Sequence, residues 1–190
     1  MYRRNKCISE NETKGKECIT GMNNAEKNTY VKNQILEALL NLLKTKKLDS
    51  ISVSELTEKA QVGRISFYRN YIDKKDVLIQ EERRLFTLWK KEQPPASSEN
   101  PGFSRSLLNF YFEHSAFYLQ LYHAGLQDVI KDTILDGMEI SEADPDPVAY
   151  LKSSIGYAIY GWVIEWMKRG MPQTGDELSD LIEHSQNSKK

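Results

Sequence analysis

The sequence predicts an all-α chain of about nine helices. Three observations predict it. Apolar residues recur at three- and four-residue spacing in segment after segment, and no segment shows convincing strand alternation. The periodic segments are punctuated by capping residues, Gly and Pro, where helices start and stop. With 190 residues and 39 % hydrophobic content, the chain has room for one or two packed domains.

Each element follows in order. Residues 1–24 are dominated by Asn, Lys, Glu, Thr, Ser and Gly, bury little, and read as a disordered polar tail. Its 5 basic and 3 acidic residues are too even a mixture for a basic arm in a minor groove. Residues 30–43 carry Val31, Ile35, Leu39 and Leu42 in one stripe, the first long helix. Residues 51–60 form a short amphipathic helix. Ser52 is its N-cap, Glu55 stands where it could close a capping box, and Val53, Leu56, Thr57 and Ala60 share a face. Gln61 and Val62 turn the chain, and Gly63 opens a second short helix. There Phe67 and Tyr71 face inward, leaving Arg64, Ser66, Tyr68, Arg69 and Asn70 outside. Asp73 caps the next helix, which runs toward Gln93 through Val77, Leu78, Leu85, Leu88 and Trp89. Lys74 in its first turn opposes the helix dipole, a misfit that a neighbouring phosphate would relieve.

The Pro- and Ser-bearing run at residues 92–102 is the clearest linker. Helical segments follow at 104–114, 115–125 and 126–138, then an acidic Pro-bearing loop at 141–147. A long helix occupies residues 148–170, and Thr174 with Glu177 forms a capping box that opens a last helix.

Two short helices joined by a turn, the second crowded with groups suited to phosphates and base edges, describe a helix-turn-helix. Arg64 is the best candidate for a guanine edge, and Tyr68 and Asn70 suit phosphate oxygens. The bland alternative is an amphipathic helix pair with a solvated charged face. Residues 31–88 further resemble the N-terminal domain of TetR-family transcriptional regulators. The resemblance rests on Ile51, Val53, Leu56, Ala60, Val62, Phe67, Tyr68, Tyr71 and Lys74, in order over some forty residues. It implies that Ser66, Tyr68, Asn70 and Lys74 touch phosphates and that Arg64 and Ile65 lie near base edges. Ser52, Val53, Gly63 and Arg69 complete the expected DNA-binding set. Gly63, Ile65, Asn70 and Ile72 depart from the family's common residues, which bears on the bases read.

Charge supports this placement once split along the chain. Residues 1–92 hold 19 Lys and Arg against 13 Asp and Glu, whereas residues 93–190 hold 7 against 14. The positive half carries the helix pair, as attraction to phosphates requires. No secretory signal or eighteen-residue apolar run is visible, so a cytoplasmic protein without a membrane span is expected. Cys7 and Cys18 both sit in the polar tail at a spacing that matches no metal motif. No nucleophile elbow, phosphate loop or zinc-protease motif is present, and His114 and His123 lack an acidic cluster. A non-enzyme without cofactor or metal is expected.

The long C-terminal helix is apolar around much of its girth, which implies burial on more than one side. A four-helix homodimer interface with the last helix is preferred over a plain core helix, through Ile155, Ile159, Trp162, Val163, Trp166, Leu178, Leu181 and Ile182. This region resembles, more loosely, the C-terminal domain of a Gram-positive subgroup of TetR-like regulators. Family members house an inducer pocket among these helices; Trp89, Phe110, Tyr111, Tyr118, Tyr122 and Tyr157 are the candidates here, although aromatic stripes also serve as core. The expected organisation is a tail at 1–24, a helix-turn-helix domain at 25–75 and an effector and dimerisation domain at 76–190. The expected function is a homodimeric repressor released from a palindromic double-stranded DNA operator by an effector. The alternative is a co-activator controlled by a protein partner.

Overall fold

The structure is a computed structural model that describes residues 23–92 and 103–187. Most of the polar tail with both cysteines, and linker residues 93–102, lie outside the described residues. Among the described residues there are nine α-helices and no strand. The order is α1 (Asn24–Leu43), a 3₁₀ turn (Leu48–Ser50), α2 (Val53–Lys59), α3 (Arg64–Asn70) and α4 (Lys74–Glu92). Then follow α5 (Phe103–Glu113), α6 (Ser115–His123), α7 (Gln127–Gly137), α8 (Asp146–Lys168) and α9 (Gly175–Asn187).

Helix α1 begins six residues earlier than the hydrophobic stripe suggests. The cause is a capping box. The Asn23 side chain accepts from the Glu26 N–H at 2.9 Å, and Glu26 accepts from the Asn23 N–H at 2.8 Å. Ser52 does cap α2, accepting from the Glu55 N–H at 3.0 Å. The expected reciprocal bond is not made, because Glu55 turns to pair with Lys46, which holds its carboxyl below the usual range. α2 ends in a Schellman turn, with Val62 N–H on the Thr57 carbonyl and Gln61 N–H on that of Glu58. Gln61 occupies the left-handed position at φ 54°, where Gly is the unstrained residue.

One hydrophobic core runs through both halves of the chain. Ile35, Leu39, Leu56, Phe67 and Leu78 form its N-terminal part; Leu108, Tyr111, Tyr118, Leu121, Ile130 and Val163 form its C-terminal part. α4 spans the two, which makes it the mechanical link between them. Leu88, expected on its buried stripe, is 47 % exposed, whereas Glu82 is buried in the stripe Leu78, Leu85 and Trp89.

α9 packs closely on α5. Gly175 is buried against that helix, and a Cβ there would lie 2.4 Å from the Asn109 backbone nitrogen and 2.6 Å from its Cα. Asn109 also donates to Asp176 at 2.9 Å, and Arg105 binds Asp176, Asp180 and Glu183 across the same seam. The Thr174–Glu177 capping box forms as read from the sequence. Because the clash is with backbone, Gly175→Ala is expected to force α9 off α5. Thermal unfolding should register a loss of about 1–3 kcal/mol, the usual range for overpacking.

Candidate nucleic-acid interface

The helix pair is assembled from its inner faces. Leu56, Thr57 and Ala60 of α2 are buried, and Ala60 lets α3 approach closely. Thr57 satisfies its hydroxyl on the Val53 and Ser54 carbonyls, at 2.9 and 3.1 Å. From α3, Phe67 and Tyr71 turn into the core with ring centroids 5.8 Å apart. Burial raises the Tyr71 phenol to about 12, and the Lys32 ammonium of α1 lies 5.6 Å from its ring centroid. Lys32 also donates to Gln80, whose amide donates to the Asn70 backbone carbonyl at 3.0 Å. α3 is thus fixed at its C-terminal end to both α1 and α4.

Its outer face is free. Arg64 and Arg69 are exposed and form no ion pair with another described residue. Ile65 is 78 % exposed and Tyr68 56 %. Gly63 caps with its backbone alone, as expected of Gly, and Ser66 is half-buried one turn in. Val53 sits partly buried at the start of α2 beside Ser52. Ile72, in the turn after α3, is 86 % exposed.

Two of the expected phosphate ligands have other engagements. Asn70 directs its amide N–H back to the Ser66 carbonyl at 2.8 Å, so that donor is spent on its own helix. Lys74 is turned inward. Its ammonium donates to the Leu48 carbonyl at 2.7 Å and to that of Ile51, two carbonyls in the connection between α1 and α2. The dipole misfit of its position is offset there by backbone oxygens. Asp73 does cap α4, accepting from the Asp76 N–H at 2.8 Å, and Asp76 accepts from the Ile72 N–H at 3.0 Å.

The C-terminal half gathers four of the six expected ligand residues. Trp89, Phe110, Tyr111 and Tyr118 form one buried aromatic cluster with Phe86, with ring centroids between 4.6 and 6.4 Å apart. Tyr122 is only partly buried. Tyr157 is 55 % exposed on the outside of α8, so it does not belong to that cluster; its place on the helix, beside buried Gly156 and Ile159, points it away. The residue missed in the sequence is Glu82. It is fully buried, accepts from the Tyr118 hydroxyl at 2.6 Å, and has a second oxygen with no hydrogen-bond partner among the described residues. Burial pushes its carboxyl up to about 8, and the neighbouring Glu81 adds to the rise. The Tyr111 hydroxyl is likewise buried without a partner among the described residues.

The expected dimer residues divide in the same way. Ile159, Val163 and Trp166 are buried in the chain's own core, where Trp166 stacks on Phe112, so they are inaccessible to a second copy. Ile155 and Leu181 are exposed, and Trp162, Leu178 and Ile182 are partly so. Tyr150, Leu151 and Tyr157 add exposed apolar surface along α8. Among the described residues no His, Cys, Asp and Glu group could hold a metal, and no helix is long and apolar enough to cross a membrane.

Known proteins resemble this chain in its C-terminal region and in its fold. Residues 101–188 match a family model described as a transcriptional regulator C-terminal region of the TetR type. An uncharacterised HTH-type transcriptional regulator of Bacillus subtilis (strain 168), YxbF, is 23 % identical over 165 residues, which is 78 % of this chain. The chain spans 43 % of the length of that curated relative. The crystal structure of Lin0861 from Listeria innocua superposes with a TM-score of 0.69 at 17 % identity, covering 89 % of this chain and 96 % of that one. The fatty acid degradation regulator FadR from Bacillus halodurans superposes at 0.49 and 14 % identity, covering 81 % and 93 %. The helix pair thus lies at one end of the chain, and residues 101–188 at the other are similar to the C-terminal region of TetR-type transcriptional regulators.

Proposed function

We propose that this regulator is a homodimeric repressor that binds a palindromic duplex operator through α2 and α3 and leaves it when an effector occupies the C-terminal domain. The observation that carries the reading is the two-sided character of α3. Its inner face is locked by Phe67, Tyr71 and the Gln80 bond, while Arg64, Ile65, Tyr68 and Arg69 stand exposed together. A rigid helix offering unpaired guanidinium groups suits a major groove. The helix-turn-helix domain comprises α1 to α3 and the start of α4; the remaining helices form the effector and dimerisation domain.

Dimerisation is supported by the exposed apolar residues of α8 with Leu181 of α9, which a second copy would cover around a two-fold axis. Leu151 and Ile155 stand where the buried trio cannot reach. Two recognition helices related by that axis read two half-sites, hence the palindrome. The buried aromatic cluster and its partnerless polar atoms favour an effector over a protein partner as the controlling agent. An effector need favour only the dimer whose recognition helices are wrongly spaced, by about 1–3 kcal/mol.

The test is selection of genomic fragments on the purified chain at near-physiological salt. A recovered palindrome is the expected result; a failure to enrich any sequence refutes specific binding by the free protein. On that site, Arg64→Ala should relax base preference at one position by ~1–3 kcal/mol. Tyr68→Phe should weaken every sequence alike, by about 0.5–1.5 kcal/mol, since a phosphate bond carries no sequence information. Binding isotherms on the operator and on base-substituted variants separate the two.

A further inference from the structure

Glu82 is the one charged residue among the described side chains that are buried, and the charge acting on it is the like charge of Glu81. A leucine at this point of the stripe would cost nothing to bury, whereas an unpaired acid in an apolar core is costly. Tyr118 satisfies one of its oxygens. The other oxygen and the Tyr111 hydroxyl, on the facing helix, are left without partners in the same aromatic cluster. Two polar atoms in one cluster thus have hydrogen-bonding capacity that no described residue satisfies.

A cleft lies alongside, between α1, α4 and α6. Its volume is about 450 Å³, within the range of small-molecule sites. Leu36, Leu40, Ala116 and Phe117 give it apolar walls, and Glu81 beside Glu82 lies on it. Phe117, on the cleft wall, packs edge-on against Tyr118 with centroids 5.3 Å apart, and Tyr118 in turn holds Glu82. The two basic groups of the rim differ in their partners. Arg84 grips Glu81 through two bonds of 2.7 Å, and Lys44 donates to Asn41 at 2.9 Å. Glu37 forms no ion pair with another described residue, and Lys44 forms none either, so the rim carries one unpaired acid and one unpaired base while the buried end offers acid alone.

We propose that this cleft and the Glu82 carboxyl behind it bind an amphipathic organic amine. The apolar body lies against Leu36, Leu40 and Phe117, and the ammonium reaches the free oxygen of Glu82 once Phe117 turns aside. The proposal rests on the reading that an effector acts through the C-terminal domain, and it supplies that effector's chemical class. It also supplies the coupling. Gln120, one turn beyond Phe117, donates to the backbone carbonyl of Leu40 and so ties α6 to α1. A body wedged between those helices competes with that tie, and α1 packs directly on α2 and α3. Occupancy of the cleft therefore reaches the recognition helix through a single intervening helix.

The test uses the full chain and three probes of one shape: phenethylamine, phenethyl alcohol and phenylacetate. Calorimetry and the thermal midpoint read binding in the absence of DNA. Phenethylamine is expected to bind and raise the midpoint, and the alcohol and carboxylate are not. Glu82→Gln, close in size and still able to accept from Tyr118, should lower the amine's affinity roughly tenfold or more, as loss of a buried charge partner does. Tyr111→Phe should lower it less. Equal binding of amine and alcohol, undiminished amine binding by Glu82→Gln, or no amine binding at millimolar concentration each overturns the proposal. Retention of the operator by the amine-free chain is measured separately: its failure sinks the DNA reading and leaves the binding result standing, whereas binding without release from the operator refutes the coupling alone.

Discussion

The wild-type protein is expected to lose thermal stability as pH rises from about 4.5 to about 8, and Glu82→Gln to lose none of it over that interval. The folded state holds the Glu82 carboxyl up to about 8 because burial disfavours its charge, against 4.5 for the exposed group. Between those values the folded chain keeps a proton that the unfolded chain has released. Stability from this group is therefore complete below 4.5, falls as pH rises, and is gone above about 8. The difference is on the order of 5 kcal/mol. Tyr118 and Tyr111, which share the site, are themselves raised well above their usual range and stay neutral throughout. The variant amide brings two N–H donors where the protonated acid has one O–H, so at acid pH it should be less stable than wild type by about 1–3 kcal/mol. The two curves of unfolding midpoint against pH must then cross. Parallel curves would show that Glu82 is solvated in solution and remove the premise of a buried acid.

Why Glu82 is hard to see in the sequence has a physical answer. It sits in Gln80-Glu81-Glu82-Arg83-Arg84, and a run of charge ordinarily marks a solvated face. The stripe Leu78, Glu82, Leu85 and Trp89 places it inward all the same, because periodicity fixes the direction of a position whatever residue occupies it. Leu88 is the mirror of this error: an apolar residue at an exterior position, exposed as geometry requires. The helix pair is legible for the opposite reason. In α2 and α3 residue type and position agree, from the Ser52 cap to the inward Phe67 and Tyr71. Packing between distant segments is not legible. Thr174 and Glu177 announce the start of α9, yet nothing in Thr174-Gly175-Asp176 says that Gly175 must admit the Asn109 backbone. Likewise the apolar girth of α8 does signal a helix with a deeply buried face, but assigning Ile159, Val163 and Trp166 to a partner's side rather than to the core needs the positions of α5 and α7.

Lys74→Met is expected to lower stability by about 2–3 kcal/mol while leaving the salt dependence of operator binding unchanged. Its ammonium joins α4 to the Leu48 and Ile51 carbonyls, and bonds to a charged donor are worth about 1.5–3 kcal/mol. Removing it leaves the Ile51 carbonyl without that donor beside Ser52, the cap of α2, whereas the Leu48 carbonyl keeps the Ile51 N–H at 3.2 Å. Each phosphate that a cationic side chain neutralises instead adds about 0.9 to the slope of log affinity against log salt. The two roles therefore separate cleanly. Loss of a strut gives a lower unfolding midpoint, weaker binding to every sequence and an unaltered slope. Loss of a phosphate-neutralising cation gives an unaltered midpoint and a slope reduced by about one. Arg69→Met is the comparison, since Arg69 is exposed, unpaired among the described residues and free to reach a phosphate. If Lys74→Met behaves as Arg69→Met does, the ammonium leaves its carbonyls when DNA arrives, and the inward geometry belongs to the free protein alone. The third N–H of the ammonium makes the intermediate case measurable too, as a change in slope and midpoint together.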